Sequence, residues 1–237
     1  MSDEILRVEG VDVFYNDFQA VSKASFFMNR GEIVSLIGTN GAGKTTLMRA
    51  ICGVLPAKNG KVFFEGNEIT GLPPHKIVDL GISLVPEGRH LFSRMSVKDN
   101  LLMGSYTSRA RKGAKAGLEK VYELFPILKE KAEQTAGSLS GGQQQMVAIG
   151  RALMSDPKLI CFDEIALGLA PTIIKDIYAR VRELNGLGLS IILVEQDVRR
   201  SLKESKRAYV MLKGKVVLEG ISKELTEEEV GKAYFGM

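Results

Sequence analysis

The chain has 237 residues, of which 45% are hydrophobic and 25% charged, which is ordinary for a globular protein and long enough for a well-buried core. Its formal net charge of +4 is mild, permitting contact with nucleic acid or an anionic membrane without indicating either. No run approaches the ~20 apolar residues that a membrane-spanning helix needs.

The acidic start, MSDEILRVEG, lacks the basic and apolar regions of a signal peptide, so a cytoplasmic chain is expected. The stretches RVEGVDVFY, KASFFMN, EIVSLIG and KVFFEGNEI are rich in Val, Ile, Phe and Tyr and punctuated by Gly and Asn, and they read as strands. EIVSLIG runs into a Gly-rich loop and then TTLMRAICGVL, whose apolar spacing is helical. From about Pro73 to Gly137 the texture changes. SVKDNLLMGSY and LEKVYELFPILKEKAEQ read as helices, with Leu118, Val121, Tyr122 and Phe125 on one face. Between them SRARKGAKAG is basic: a solvated loop or frayed helix end, with lipid headgroup contact as the alternative.

Beyond Ser138 a helix, QQQMVAIGRALM, precedes the apolar strand KLICFDE; a second helix, TIIKDIYARVREL, precedes SIILVEQD. Fully apolar strands alternating with helices predict a parallel sheet covered on both faces. YVMLKGKVVLEG predicts a hairpin turning near Lys213-Gly214, and Thr226 to Glu229 has capping-box spacing for a last helix. The two cysteines, Cys52 and Cys161, lie in apolar surroundings, so buried thiols are expected rather than a disulfide or metal site.

Three stretches carry chemistry. Gly38 to Thr45, GTNGAGKT, fits G-x-x-x-x-G-K-[ST] between a strand and a helix. Gly38, Thr39, Asn40, Gly41, Ala42 and Gly43, with the adjoining Thr46, form a loop whose amide N–H groups point at phosphate, aided by the positive end of the helix. Lys44 reaches the β- and γ-phosphates and the Thr45 hydroxyl ligates Mg²⁺, so a nucleoside triphosphate and Mg²⁺ are the expected cofactors, the nucleotide being ATP in the family resemblance drawn below. LICFDE delivers Asp163 and Glu164 to a strand's carboxyl end, where α/β sheets bind ligands. Asp163 holds Mg²⁺ through water and Glu164 polarises the attacking water; alone, such a pair is only a solvated strand end. LSGGQ, with Ser140, Gly141, Gly142 and Gln143, opens a helix capped by Ser140, its glycines leaving amides free for an anion.

Together these motifs make the chain resemble the ATP-binding cassette (ABC) ATPases over nearly its whole length. The resemblance implies a single ABC ATPase domain over 1–237. Its P-loop NTPase core is α/β, a mostly parallel sheet with helices on both faces, over 1–86 and 138–237. N-terminal antiparallel strands and an inserted α-helical subdomain over 87–137 complete it. It also implies a head-to-tail dimer with a second ABC ATPase subunit, identical or different, in which Ser140 and Gly142 complete the partner's ATP site. Tyr15 matches the family's adenine-stacking aromatic; in a strand alone it would more often be packing.

Three positions depart from the family. Glu87 replaces a loop glutamine that touches Mg²⁺, Gln196 replaces a switch histidine, and Ile165-Ala166 replace Pro-Ser after Glu164. The first two, with VPEGR, ELFPIL, LGLAP and LVEQ, resemble the LivF-type ATPases of branched-chain amino acid importers. That resemblance implies a peripheral subunit on the cytoplasmic membrane face, bound to integral membrane permeases and indirectly to a periplasmic or extracellular solute-binding protein, with no nucleic acid partner. Gln196 can donate and accept hydrogen bonds at the γ-phosphate but cannot become cationic. The Ile165-Ala166 pair fits neither level of resemblance. A soluble ABC ATPase acting on nucleic acid or ribosomes, and a nucleotide-dependent scaffold that scarcely hydrolyses ATP, are the alternative readings.

Overall fold

Buried apolar residues begin at once, with Ile5 and Leu6, in the computed structural model, which describes residues 3–235. The elements in chain order are β1 (Glu4–Tyr15), β2 (Phe18–Asn29), β3 (Ile33–Gly38), α1 (Lys44–Ile51), β4 (Ala57–Phe64), β5 (Asn67–Glu68), α2 (Pro74–Leu80) and β6 (Ile82–Val85). Helices α3 (Val97–Leu102), α4 (Ser108–Lys112), α5 (Ala114–Leu124), α6 (Pro126–Glu130) and α7 (Gly141–Leu153) follow. Then come β7 (Leu159–Asp163), α8 (Pro171–Gly186), β8 (Ser190–Glu195), α9 (Val198–Glu204), β9 (Arg207–Leu212), β10 (Lys215–Ile221) and α10 (Glu227–Phe235). The chain divides into two units, Met1–Ile77 with Asn185–Met237, and Val78–Leu184.

In the first unit β1 and β2 pair antiparallel around Asn16, whose φ of 51° is a left-handed conformation that asparagine tolerates. β1 also pairs antiparallel with β4, giving the order β2-β1-β4-β5. The other sheet region of this unit is built on β3, every residue of which is buried, as is every residue of β8. Such strands need cover on both faces. β3 pairs parallel with β8 on one side and with β9 on the other. The hairpin β9–β10 turns at Lys213 and Gly214, φ 47° and 81°, the turn that the Lys-Gly pair predicts. One face is sealed by Ile37, Ala208, Val210 and Val230 at full burial, with Val198, Leu202, Leu218 and Leu225 packed around them. α10 starts from the capping box that Thr226 and Glu229 predict: Glu229 N–H donates to Thr226 Oγ1 at 3.2 Å, and Thr226 N–H to Glu229 Oε2 at 2.8 Å.

The second unit holds the parallel pair β6–β7 and helices α3 to α7. Residues 87–137 lie within it and are helix and turn, apart from an isolated bridge between Ser96 and Thr135. The single helix expected over LEKVYELFPILKEKAEQ is two. α5 ends where Phe125 takes φ −130° and ψ 76°, and α6 restarts with Pro126 at its first position. A proline disfavours α-helical backbone at the residue before it and cannot donate back up the helix, so the apolar periodicity continues while the axis breaks. The basic stretch is ordered rather than a loop. Thr107 caps α4, and Arg109 donates to Asp156 Oδ2 at 2.8 Å and to the Ser155 carbonyl at 2.9 Å. Both cysteines are buried and free.

Candidate functional site

The phosphate loop begins where β3 runs out. Its last residue, Gly38, is held between neighbours by register: Ile37 lies opposite Glu195 of β8 and Gly38 opposite Met211 of β9. A Cβ at Gly38 would meet the Met211 carbonyl oxygen at 2.7 Å, so only glycine lets β3 leave the sheet there. Gly41 and Gly43 take φ of 78° and 98°, and Gly43 is the N-cap of α1 with no side chain bonded to the helix terminus. The N-cap glycine brings no side chain to the start of α1, which presents the positive end of its dipole to the loop. Thr39, Asn40 and Gly41 are exposed while Ala42 is buried beneath them. Lys44, only 4% exposed, folds back over the loop and donates to the Gly38 carbonyl at 2.9 Å and the Thr39 carbonyl at 3.1 Å.

A backbone cradle holds the loop from below. Gly214 N–H donates to the Ala42 carbonyl at 2.9 Å, and Ser22 N–H donates to the Gly214 carbonyl at 2.8 Å. Cβ atoms at Gly43 and Gly214 would both run into the Ala20 carbonyl oxygen, at 2.6 and 2.7 Å. Tyr15 stands at the end of β1, 41% exposed, its hydroxyl 3.4 Å from Thr46 Oγ1. Phe18, opposite it across the hairpin and 71% exposed, is an aromatic that the sequence reading passed over. Its signal was its place two residues beyond the Asn16 turn, opposite Tyr15. Gln196 is the first residue past β8, one step beyond the residue opposite Ile37, so it emerges at the same sheet edge as the loop. Asp197 then caps α9, accepting from Arg200 N–H at 2.9 Å, which fixes the chain direction just after Gln196.

The second unit carries the other candidate residues. β6 and β7 run parallel with Val85 opposite Phe162, so the loop bearing Glu87 and the strand end bearing Asp163 leave the same edge. Asp163 is buried. Glu164 takes φ 49°, a left-handed conformation uncommon outside glycine and asparagine, of the sort that gathers at functional positions. Ile165 and Ala166 are buried, at 2% and 7% exposure, directly after it.

LSGGQ forms the first turn of α7 with a complete capping box: Gln143 N–H donates to Ser140 Oγ at 3.4 Å, and Ser140 N–H donates to Gln143 Oε1 at 3.1 Å. The Ser140 hydroxyl keeps its own proton to donate. Gly142 is pressed against Ile173 of α8, and Arg89 lies over Gly141. Arg89, which enters the sequence analysis only as the last residue of VPEGR, has partners here that the motif does not announce. It donates to Gln144 Oε1 at 3.0 Å, and its carbonyl accepts from Arg151 Nη2 at 3.1 Å.

Comparison with known proteins shows the family and the fold. The family model described as ABC transporter matches residues 21–166, more than half of the chain. Over 98% of the chain and 100% of the relative, the sequence is 45% identical to the high-affinity branched-chain amino acid transport ATP-binding protein BraG of Pseudomonas aeruginosa. It is 34% identical to the probable branched-chain amino acid transport ATP-binding protein LivF of Archaeoglobus fulgidus, covering 95% of each. The fold superposes on the ADP conformation of an ATP-binding cassette of an ABC transporter with a TM-score of 0.81 at 33% identity, covering 98% of this chain and 95% of that one. With its phosphate loop, its LSGGQ helix and these likenesses together, the chain belongs to the ABC transporter family, as an ATP-binding subunit of its ATPase class.

Proposed function

We propose that the chain is the Mg-ATP-hydrolysing motor subunit of an importer for branched-chain or other amino acids, peripheral on the cytoplasmic membrane face. The observation that carries the reading is the phosphate loop, with its left-handed glycines, its α1 terminus free of side-chain caps and its inward-folded Lys44. The names of BraG and LivF support the solute class.

In this reading the loop amides and Lys44 hold the β- and γ-phosphates, and Tyr15 receives the adenine. Thr45, Asp163 and Glu87 offer hard oxygen donors, the set that suits Mg²⁺. Among the described residues no cluster of three or more His, Cys, Asp or Glu side chains is arranged for a metal. Mg²⁺ supplies charge neutralisation on the transferred phosphoryl. Glu164 takes the proton of the attacking water, and Gln196 orients that water or holds the γ-phosphate without titrating. Ser140 and Gly142 meet the ATP of a second ABC ATPase subunit, identical or different, in a head-to-tail pair. Gln196 in place of a histidine fits a partner that carries the histidine.

The permease surface is assigned to a groove of about 430 Å³ in the second unit, lined by Phe92, Met103 and Tyr106, each close to half exposed. A short amphipathic helix laid into it covers these side chains.

ATP turnover by the purified chain tests the reading, alone and with co-purified permeases. Glu164→Gln is expected to lose at least about 100-fold in kcat while ATP affinity stays within twofold. Unchanged turnover in that variant removes Glu164 from its role, and stimulation by nucleic acid but not by permease moves the chain to another class of ABC ATPase.

A further inference from the structure

Between β6 and the groove the chain makes a short connector with an unusual backbone. Gly88, Arg89 and His90 take φ of 78°, 68° and 45°, three left-handed residues in succession, two of them with side chains. Left-handed backbone at a residue with a Cβ costs free energy and persists where other contacts hold it. Here the holding contacts are specific. Arg151 Nη2 donates to the Arg89 carbonyl at 3.1 Å, and the Arg89 guanidinium donates to Gln144 Oε1 at 3.0 Å while packing over Gly141. A Cβ at Gly141 would lie 3.1 Å from Arg89 Nη2, so the small residue there makes room for the guanidinium. One side of the connector therefore grips the first turn of α7. On the other side His90 and Phe92 line the groove.

We propose that Arg89 is a positioning residue that ties the Glu87 loop and the groove to the LSGGQ turn, setting the orientation in which Ser140 and Gly142 meet ATP. The inference rests on the reading of α7 as an ATP-contacting helix in an ABC ATPase dimer. Arg89 acts through Gln144 and the backbone of Gly141, and it brings a fixed positive charge beside the already positive end of α7.

The test compares Arg89→Ala, Arg89→Lys and the parent full-length chain, each assayed with its co-purified second ATPase subunit and permeases. Turnover is scored per nucleotide-binding site, so that loss of folded protein does not enter. For Arg89→Ala, kcat is expected to fall about tenfold with KM for ATP within twofold, the scale of one charge-assisted hydrogen bond. Arg89→Lys, which keeps a cation able to donate to Gln144 Oε1, is expected to return to within about threefold of the parent. Amide hydrogen exchange at 141–145 is expected to quicken about tenfold in Arg89→Ala, with β3 and β8 unchanged. A kcat for Arg89→Ala within twofold of the parent, a lysine variant no better than alanine, or unchanged exchange at 141–145 overturns the inference. Absence of turnover in the parent overturns the motor reading instead, and the role in turnover falls with it.

Discussion

Asp12 shows how a single charged residue is made structural. Its carboxylate, buried in the first unit, accepts from Gln19 Nε2 at 3.0 Å, from Lys23 N–H at 2.8 Å and from Asn59 Nδ2 at 2.9 Å. The hydrogen bond from Asn59 and then that from the Lys23 amide hold its pKa below the ordinary aspartate value of 3.8. A carboxyl depressed in the folded state favours folding above its unfolded pKa, and that contribution fades as pH falls through the folded value. Asp12→Asn is therefore expected to cost about 2 kcal/mol in urea unfolding at pH 7 and to flatten the loss of stability below about pH 4. A variant with the parent's pH dependence would leave Asp12 without this role. Ile165 and Ala166 belong to the same scale. Neither fitted the motif that they interrupt, because a motif records exposed chemistry and not packing. Their burial beside a left-handed Glu164 gives a physical account: the apolar side chains anchor the turn from inside.

At the scale of elements, close approach matters more than periodicity. Gly104, in the turn Met103–Ser105, lies against the α7 backbone so tightly that a Cβ would collide with the Arg151 carbonyl oxygen. Because the obstacle is main chain, neither partner can swing aside. Gly104→Ala is expected to cost roughly 3 kcal/mol and to lower Tm by on the order of 10 °C, read by calorimetry. An unchanged Tm would mean that the turn and α7 can separate freely. Gly150 makes the same kind of contact more softly, with the tips of Leu101 and Val121. The strands of the core and the helices α1, α7 and α8 were legible in the sequence because each carries an unbroken apolar period with a cap or a glycine at its end. The β6 strand was not, since Ile82–Val85 is four residues long and runs directly into a motif. Nor was the break at Pro126, where apolar spacing continues through the kink. For the site, the phosphate loop and LSGGQ could be read because their chemistry is local in sequence. Arg89 could not, because its partner Gln144 stands 55 residues away.

For the molecule as a whole, nucleotide should act as a folding ligand. Whatever binds the native chain and not the unfolded one raises stability by mass action, about 2.7 kcal/mol at 100 times Kd. Over a chain of 237 residues that corresponds to a rise in Tm of about 5 to 10 °C with saturating Mg-ATP, measured by differential scanning fluorimetry. Lys44→Ala is expected to lose most of the rise, and an equal rise in that variant would place the nucleotide elsewhere. The brace under the phosphate loop has a consequence in time as well. Ala42 is held by Gly214, and Gly214 by Ser22, through main-chain hydrogen bonds that no side chain can replace. A chain leaving the ribosome presents its phosphate-loop sequence early, yet cannot brace that loop until residue 214, far beyond it in the chain, has also emerged. Nucleotide can then stabilise only chains in which the β9–β10 turn has already been made, so tight binding of nucleotide waits on that hairpin.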